Sequence, residues 1–219
     1  MKITRLVPKY ADADQVIKHY CRKNFKAPCS LELIYLPFVL FDYKINALSL
    51  FGKRKSEFGL FLVDLIQGIP INVKKNTFFD FIDANLKEQF SKLTGEDSAK
   101  DEKTIIVKIQ SEEVDSQQLL PAVLDRQTAV EKGKKLLMYD IMKLAGTLRY
   151  RKVDIVPGLQ RKVLYYPHWL VYYRDRKNNM KFDVFDALNG QKEGGQIIRS
   201  IKIGLLKKHE NLTEGVSEN

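Results

Sequence analysis

Apolar positions along the chain fall into two periods. The runs LIYLPFVLFDY (33–43) and VLYYPHWLVYY (163–173) are continuous apolar stretches with one proline each and predict long strands. A stripe of helical spacing precedes each. Val16, Ile17, Tyr20, Cys21 and Phe25 form the first, with Asp12 and Gln15 suited to its start and Pro28 to its end. Val130, Leu137, Ile141, Leu144 and Leu148 form the second, with Thr128 and Glu131 as a capping box and Gly146 as its stop. After each long strand comes a second one, LFLVDLIQG (60–68) and FDVFDALNG (182–190). IPINV then predicts a short strand and Thr77 a helix using Phe78, Ile82, Leu86, Phe90 and Leu93, while Ile197, Ile198, Ile201 and Leu205 predict the matching helix near the other end. TIIVKI (104–109) and RYRKVDIV (149–156) read as further strands and SQQLLPAVL as a short helix broken near Pro121.

These elements repeat. At an offset of 130, Tyr35 falls on Tyr165, Pro37 on Pro167, Leu40 on Leu170 and Tyr43 on Tyr173. At an offset of 122, Asp64 falls on Asp186 and Gly68 on Gly190, so the first copy holds eight extra residues around Phe51 to Glu57. An insertion in a hairpin loop costs little, because closure entropy grows logarithmically with length. The expected fold is α+β: two copies of a helix packed on an antiparallel sheet, related by a pseudo-two-fold axis. The expected boundaries are 1–95 for the first unit, 96–127 for an acidic linker with one strand and a short helix, 128–210 for the second unit, and 211–219 for a disordered tail.

Composition adds little constraint and charge adds more. The chain has 219 residues, 44% hydrophobic and 29% charged, within the range of ordinary globular proteins. MKITRLVPKYADAD holds no apolar run of signal-peptide length, and no stretch reaches the length of a membrane-spanning helix, so the reading is a cytoplasmic protein without membrane contact. Residues 1–79 carry 13 Lys/Arg against 6 Asp/Glu, residues 80–125 carry 5 against 11, and residues 126–219 carry 19 against 10, leaving +10 overall. Two basic blocks flank an acidic middle. This suits either a solvated surface or a face for polyanions.

Chemistry-bearing motifs are absent: there is no phosphate-binding glycine loop, nucleophile elbow or HExxH pair. His19, Cys21 and Cys29 lack a fourth metal partner, and Cys21 lies on the apolar stripe of its helix, so no metal and no cofactor is expected. Asp64, Gly68, Asp186, Asn189 and Gly190 read as turn residues, Asn189-Gly190 as a type I′ pair. Pro37 and Pro167 cannot donate to a ladder and should sit at an edge, a bulge or a bend. Cations and rings interleave at Arg149, Arg151, Lys152, Arg161, Lys162, Tyr166, His168, Tyr172 and Arg174, a composition suited to stacking bases and contacting phosphates. Strand alternation sends about half of such rings into a core instead. An enzyme would have to draw on Asp186, His168 and Tyr173.

A helix, a strand entered through Tyr-x-Pro, and a second strand closing on VDLIQG (63–68) or FDALNG (185–190) is similar to PepSY and cystatin-like modules, with residues 160–190 the closer match. The resemblance implies a non-catalytic module in which a helix lies across a small antiparallel sheet and which inhibits or regulates a protein. The expected partner is therefore another protein, met by a sheet face or edge. Nucleic acid on the basic aromatic surface of residues 149–177 and a small-molecule or enzymatic role are the alternatives, and a second copy of the chain is a further partner to consider.

Overall fold

The computed structural model describes residues 1–10, 12–23, 28–49, 54–72, 77–81, 105–144, 150–157 and 162–216. Its strands are β1 (Lys2–Leu6), β2 (Ser30–Ser49), β3 (Arg54–Asp64), β4 (Pro70–Asn72), β5 (Thr77–Phe81), β6 (Ile105–Glu113), β7 (Tyr150–Pro157), β8 (Lys162–Arg174) and β9 (Met180–Asp186). Its helices are α1 (Ala13–Lys23), α2 (Arg126–Leu144) and α3 (Gly195–Val216), with a 3-10 turn at Ser116–Gln118. All nine strands join one sheet in the order β4-β3-β2-β8-β1-β6-β5, with β7 beside β2 and β9 beside β8. Most pairings are antiparallel; β1 with β8 and β5 with β6 are parallel.

The centre is the pairing of β2 with β8, which runs from Ser30 opposite Tyr172 to Leu40 opposite Lys162. Side chains alternate across a strand, so each face of this pair collects its own residues. Ile34, Leu36, Phe38 and Leu40 share one face with Leu164 and Leu170, and α3 covers them through Ile197 and Ile201. Val39, Phe41 and Tyr43 lie on the opposite face under α2, which contributes Ala129, Val130 and Leu137. Trp169 and Val171 lie on that same opposite face, against Val16 of α1. Helices thus cover both faces of the central strands.

Pro37 and Pro167 occupy these central strands rather than an edge, and the register through them is unbroken, which corrects the expectation of an edge or bulge. A strand residue's N–H and C=O point to the same side. The Pro37 carbonyl accepts from the Leu65 amide (2.9 Å) and the Pro167 carbonyl from the Ala187 amide (3.2 Å). The missing N–H of each proline therefore faces away from the β2–β8 ladder. It falls where the outer ladder has yet to begin, one residue before Phe38 pairs with Asp64 and His168 with Asp186.

The turns leaving β3 and β9 use the same bonds. Gly68 and Gly190 donate to the carbonyls of Asp64 (3.1 Å) and Asp186 (2.8 Å), and the amides of Asp64 and Asp186 donate to Ile69 (3.1 Å) and Gln191 (2.9 Å). Gly68 and Gly190 have φ of +80° and +69°, and Asn178 is the one non-glycine residue at positive φ among the described residues. Asn189 therefore does not take the conformation a type I′ turn requires of it, and that expectation is corrected.

Other boundaries moved. Part of the segment expected as an inserted loop is strand: β2 continues to Ser49 and β3 starts at Arg54, with residues 50–53 outside the described residues, and β7 pairs alongside from Tyr43–Pro157 to Ser49–Tyr150. Residues 77–81 form a strand parallel to β6, where a helix start was expected; the rest of that helix and the 93–103 segment lie outside the described residues. The expected short helix reduces to the 3-10 turn, after which Leu120 donates to the Tyr35 carbonyl (3.0 Å). Asp125, not Thr128, caps α2, accepting from the Thr128 amide (2.9 Å). α3 continues to Val216, so residues 211–216 are helical and not part of a disordered tail. The linker strand β6 pairs with β1, and β1 in turn with β8, so pairing crosses all the expected unit boundaries.

A Cβ on Gly68 would lie 2.8 Å from the Lys132 Cβ, and one on Gly190 would lie 2.9 Å from the Tyr10 ring, in addition to the positive φ. Gly68→Ala and Gly190→Ala should each destabilise the fold by roughly 1–3 kcal/mol in chemical denaturation. Gly194, whose Cβ would meet nothing within 4 Å, should tolerate alanine within about 0.5 kcal/mol.

Candidate functional site

Two places gather polar chemistry, one closed and one open. The closed one lies on the face that α3 covers. β8 puts Tyr166 and His168 on that face, and β9 brings Asp186 opposite His168. The Tyr166 hydroxyl donates to Asp186 Oδ2 (2.9 Å), the Asn189 side-chain amide donates to the same oxygen, and the Leu188 amide donates to Oδ1 (2.7 Å). Glu193, on the connection between β9 and α3, stands with Oε1 at 3.4 Å from His168 Nε2. The corresponding place behind the first hairpin is simpler: Asp64 Oδ1 accepts from the amides of Ile66 (2.9 Å) and Gly68 (3.0 Å). Ser200 of α3 donates to Asp64 Oδ2 (2.8 Å) and accepts from the Gln67 side chain (2.7 Å).

Burial shifts Asp186 and Tyr166. It pushes the Asp186 carboxyl above the ordinary range, opposed by His168, the Leu188 amide and Tyr166, and reinforced by Glu193. Burial pushes the Tyr166 phenol well up, and the Asp186 carboxylate it donates to adds to the effect. His168 has no accessible surface. The cluster has an enzyme's residue types, but His168 and Asp186 at its centre are buried, with Glu193 part-exposed at the rim.

The open place is a groove of about 570 Å³ where α3's second half meets the segment after β6. Leu119, Leu120, Pro121, Tyr165 and Leu212 supply apolar wall, and Glu32, Ser116, Lys208 and Asn211 supply polar groups. Asp115 fixes the segment by accepting from the Gln117 amide (2.9 Å), and Lys208 donates to the Gln117 carbonyl across the groove. Leu212 stays 63% exposed, so the groove keeps apolar wall open to solvent.

The residues expected to form a binding surface are dispersed. Tyr166 and His168 lie within the closed cluster instead of standing exposed between cations, because α3 covers their face. Tyr172 is half-buried, its hydroxyl donating to Glu32 (3.0 Å) and its ring edge-on to Phe182. Arg174 is exposed at the hairpin end and donates to the Asn178 carbonyl (3.2 Å). Arg151 and Lys152 lie on β7 and Lys162 opens β8, whereas Arg149 and Arg161 lie outside the described residues. Of the residues an enzyme would use, Asp186 and His168 come together, while Tyr173 points to the other face. Ser116, Leu119, Lys208, Asn211 and Leu212 were missed. Their signal was the continued spacing of Leu205 and Leu212 on one helical face, hidden by a polar tail that read as disordered.

Fold and groove together define a mixed α+β protein, with one mostly antiparallel sheet and three helices among the described residues. No family model, curated protein or solved structure matches this chain. Among the described residues no helix is long and apolar enough to cross a membrane, and no three His, Cys, Asp or Glu side chains are grouped to hold a metal ion.

Burial, followed by the Glu32 carboxylate, pushes the Tyr172 phenol up to about 12. An unfolded tyrosine ionises near 10. The native state thus holds this proton longer, and stability should fall as pH rises from about 10 to about 12. Ultraviolet titration should show this late ionisation lost in Tyr172→Phe. In Glu32→Gln it should move down without reaching the ordinary value, since burial is the larger cause.

Proposed function

We propose that the chain is a non-catalytic binding module made of two copies of a helix-on-sheet unit, and that it docks a segment of a protein partner in the groove beside α3. The groove carries this reading, since it joins an apolar wall at Leu119, Leu120 and Leu212 to the Lys208 ammonium. α3 holds Arg199, Lys202, Lys207 and Lys208 against Glu210 and Glu214, and the chain has a formal charge of +10, so the complementary segment is one with an apolar anchor flanked by acidic residues. Helices cover both faces of the central strands, so helix and groove, rather than a sheet face, do the recognising.

Several observations support the duplication. The β2–β8 register maps onto itself about Leu36–Tyr166, placing Tyr35 opposite Pro167 and Pro37 opposite Tyr165. The turns after Asp64 and Asp186 share their backbone bonds. Each long hairpin is preceded by a helix and a parallel contact, Arg5 with Tyr165 before α1 and Leu119 with Tyr35 before α2. A helix across a long hairpin is also what the resemblance to PepSY and cystatin-like modules implies, and it favours a regulatory partner over catalysis.

A displayed peptide library selected on the full chain tests the docking. Enriched peptides should combine a large apolar residue with neighbouring acids and lose roughly tenfold or more in affinity for a Leu212→Asp, Lys208→Glu chain. Peptides that bind that variant equally well, or tighter binding of single-stranded RNA than of any peptide, would defeat the proposal.

A further inference from the structure

His168 stands where the first hairpin has Phe38: the two positions match at the 130-residue offset and face the same side of the sheet. Both are fully buried. Phenylalanine needs nothing there, whereas an imidazole must satisfy two nitrogens. Nδ1 lies 3.3 Å from the Tyr166 carbonyl oxygen, and Nε2 lies 3.4 Å from Glu193 Oε1. The second approach is an ion-pair distance without hydrogen-bond geometry, and Nε2 has no hydrogen-bond partner. Both neighbours are acceptors. A neutral imidazole has one N–H, so either tautomer turns a lone pair toward an oxygen; the imidazolium alone offers a proton to each.

We infer that His168 and Glu193 form a proton-dependent latch, closed by the imidazolium and slackened when it loses its proton, that fastens the connection between β9 and α3 to the sheet.

The surroundings suit a buried cation. From β9, Asp186 sits opposite His168 and its carboxyl is influenced by both His168 and Glu193. From β8, Tyr166 presents a neutral phenol. Ile34 of β2 is paired with His168, and α3 adds Ile197 and Ile201 to the same core, all apolar. Lys192, next to Glu193, is engaged by Asp183 (2.9 Å), which lies on the other face of β9. Asp186, buried, and Glu193, part-exposed at the rim, thus flank the one imidazolium, and burying that charge without a partner is costly. Glu193 is well placed to act on α3. Its amide donates to the Val184 carbonyl (2.8 Å), Lys192 bridges to Phe185, and the helix starts at Gly195. Loss of the proton would leave the Asp186 and Glu193 carboxylates facing a lone pair, loosening the root of the helix that covers the core. The latch does not depend on what occupies the groove.

Nitrogen-15 spectra of the histidine-labelled full chain test the latch directly, with the His168 ring assigned by its loss in His168→Phe. At about pH 5 both ring nitrogens should carry protons, and at about pH 8 only one. Thermal unfolding supplies a second readout in a chain that keeps His168. Glu193→Gln should lower Tm by about 3 °C near pH 5 and by less than about 1 °C near pH 8. A ring that is neutral at about pH 5 or still charged at about pH 8 overturns the latch, as does an equal Tm shift at both pH values.

Discussion

The antiparallel pairing of β2 with β8 is the constraint on which the rest of the molecule depends. Its eleven registered pairs, from Ser30–Tyr172 to Leu40–Lys162, join strands far apart in the chain. Closing so long a loop costs entropy that only extensive burial can offset. Phe38, Leu36, Ile34 and Leu170 on one side and Val39, Phe41 and Val171 on the other are all enclosed, each contributing on the order of 1.5–3 kcal/mol. Both faces are apolar at the centre, so both must be covered, and the three helices divide that work. β3 and β9 then extend the sheet from the outer edges of the same two strands.

This pairing also explains where polar groups end up. The prolines are tolerated in the middle of the sheet because their carbonyl sides face the turns. Asp64 and Asp186 are buried where β3 and β9 end, yet each serves several donors, which satisfies a carboxylate that water cannot reach. The two ends differ in what faces them. The first is closed by Ser200 and Gln67 with Phe38 alongside, and the second by Tyr166, His168 and Glu193. The same turn bonds thus carry a Ser200–Gln67 closure at one end and a Tyr166–His168–Glu193 closure at the other, while the groove lies toward the far end of α3.

The long strands, the helices before them and the glycine turns were legible in the sequence, since alternation, helical spacing and positive-φ glycine are local requirements: Leu33–Tyr43, Val16–Tyr20 and Gly68 each declare themselves within a few residues. The mixed α+β class followed from them. Local pattern could not show that residues 77–81 pair with β6, because TFFDF suits a helix start and an edge strand equally and the partner decides. Nor could it show that Tyr166 and His168 are enclosed. A ring beside a cation reads the same whether a helix lies over it or not, and α3 comes from a segment some thirty residues further along the chain. The groove has the same origin: Leu119 and Leu212 meet only because α3 runs back across the sheet to the segment after β6. Sequence alone determined the elements and their periods, which depend on neighbours a few residues apart. Tertiary structure decided burial, pairing partners and the groove, which depend on contacts between residues from about thirty to more than a hundred positions apart, such as His168 with Ile34.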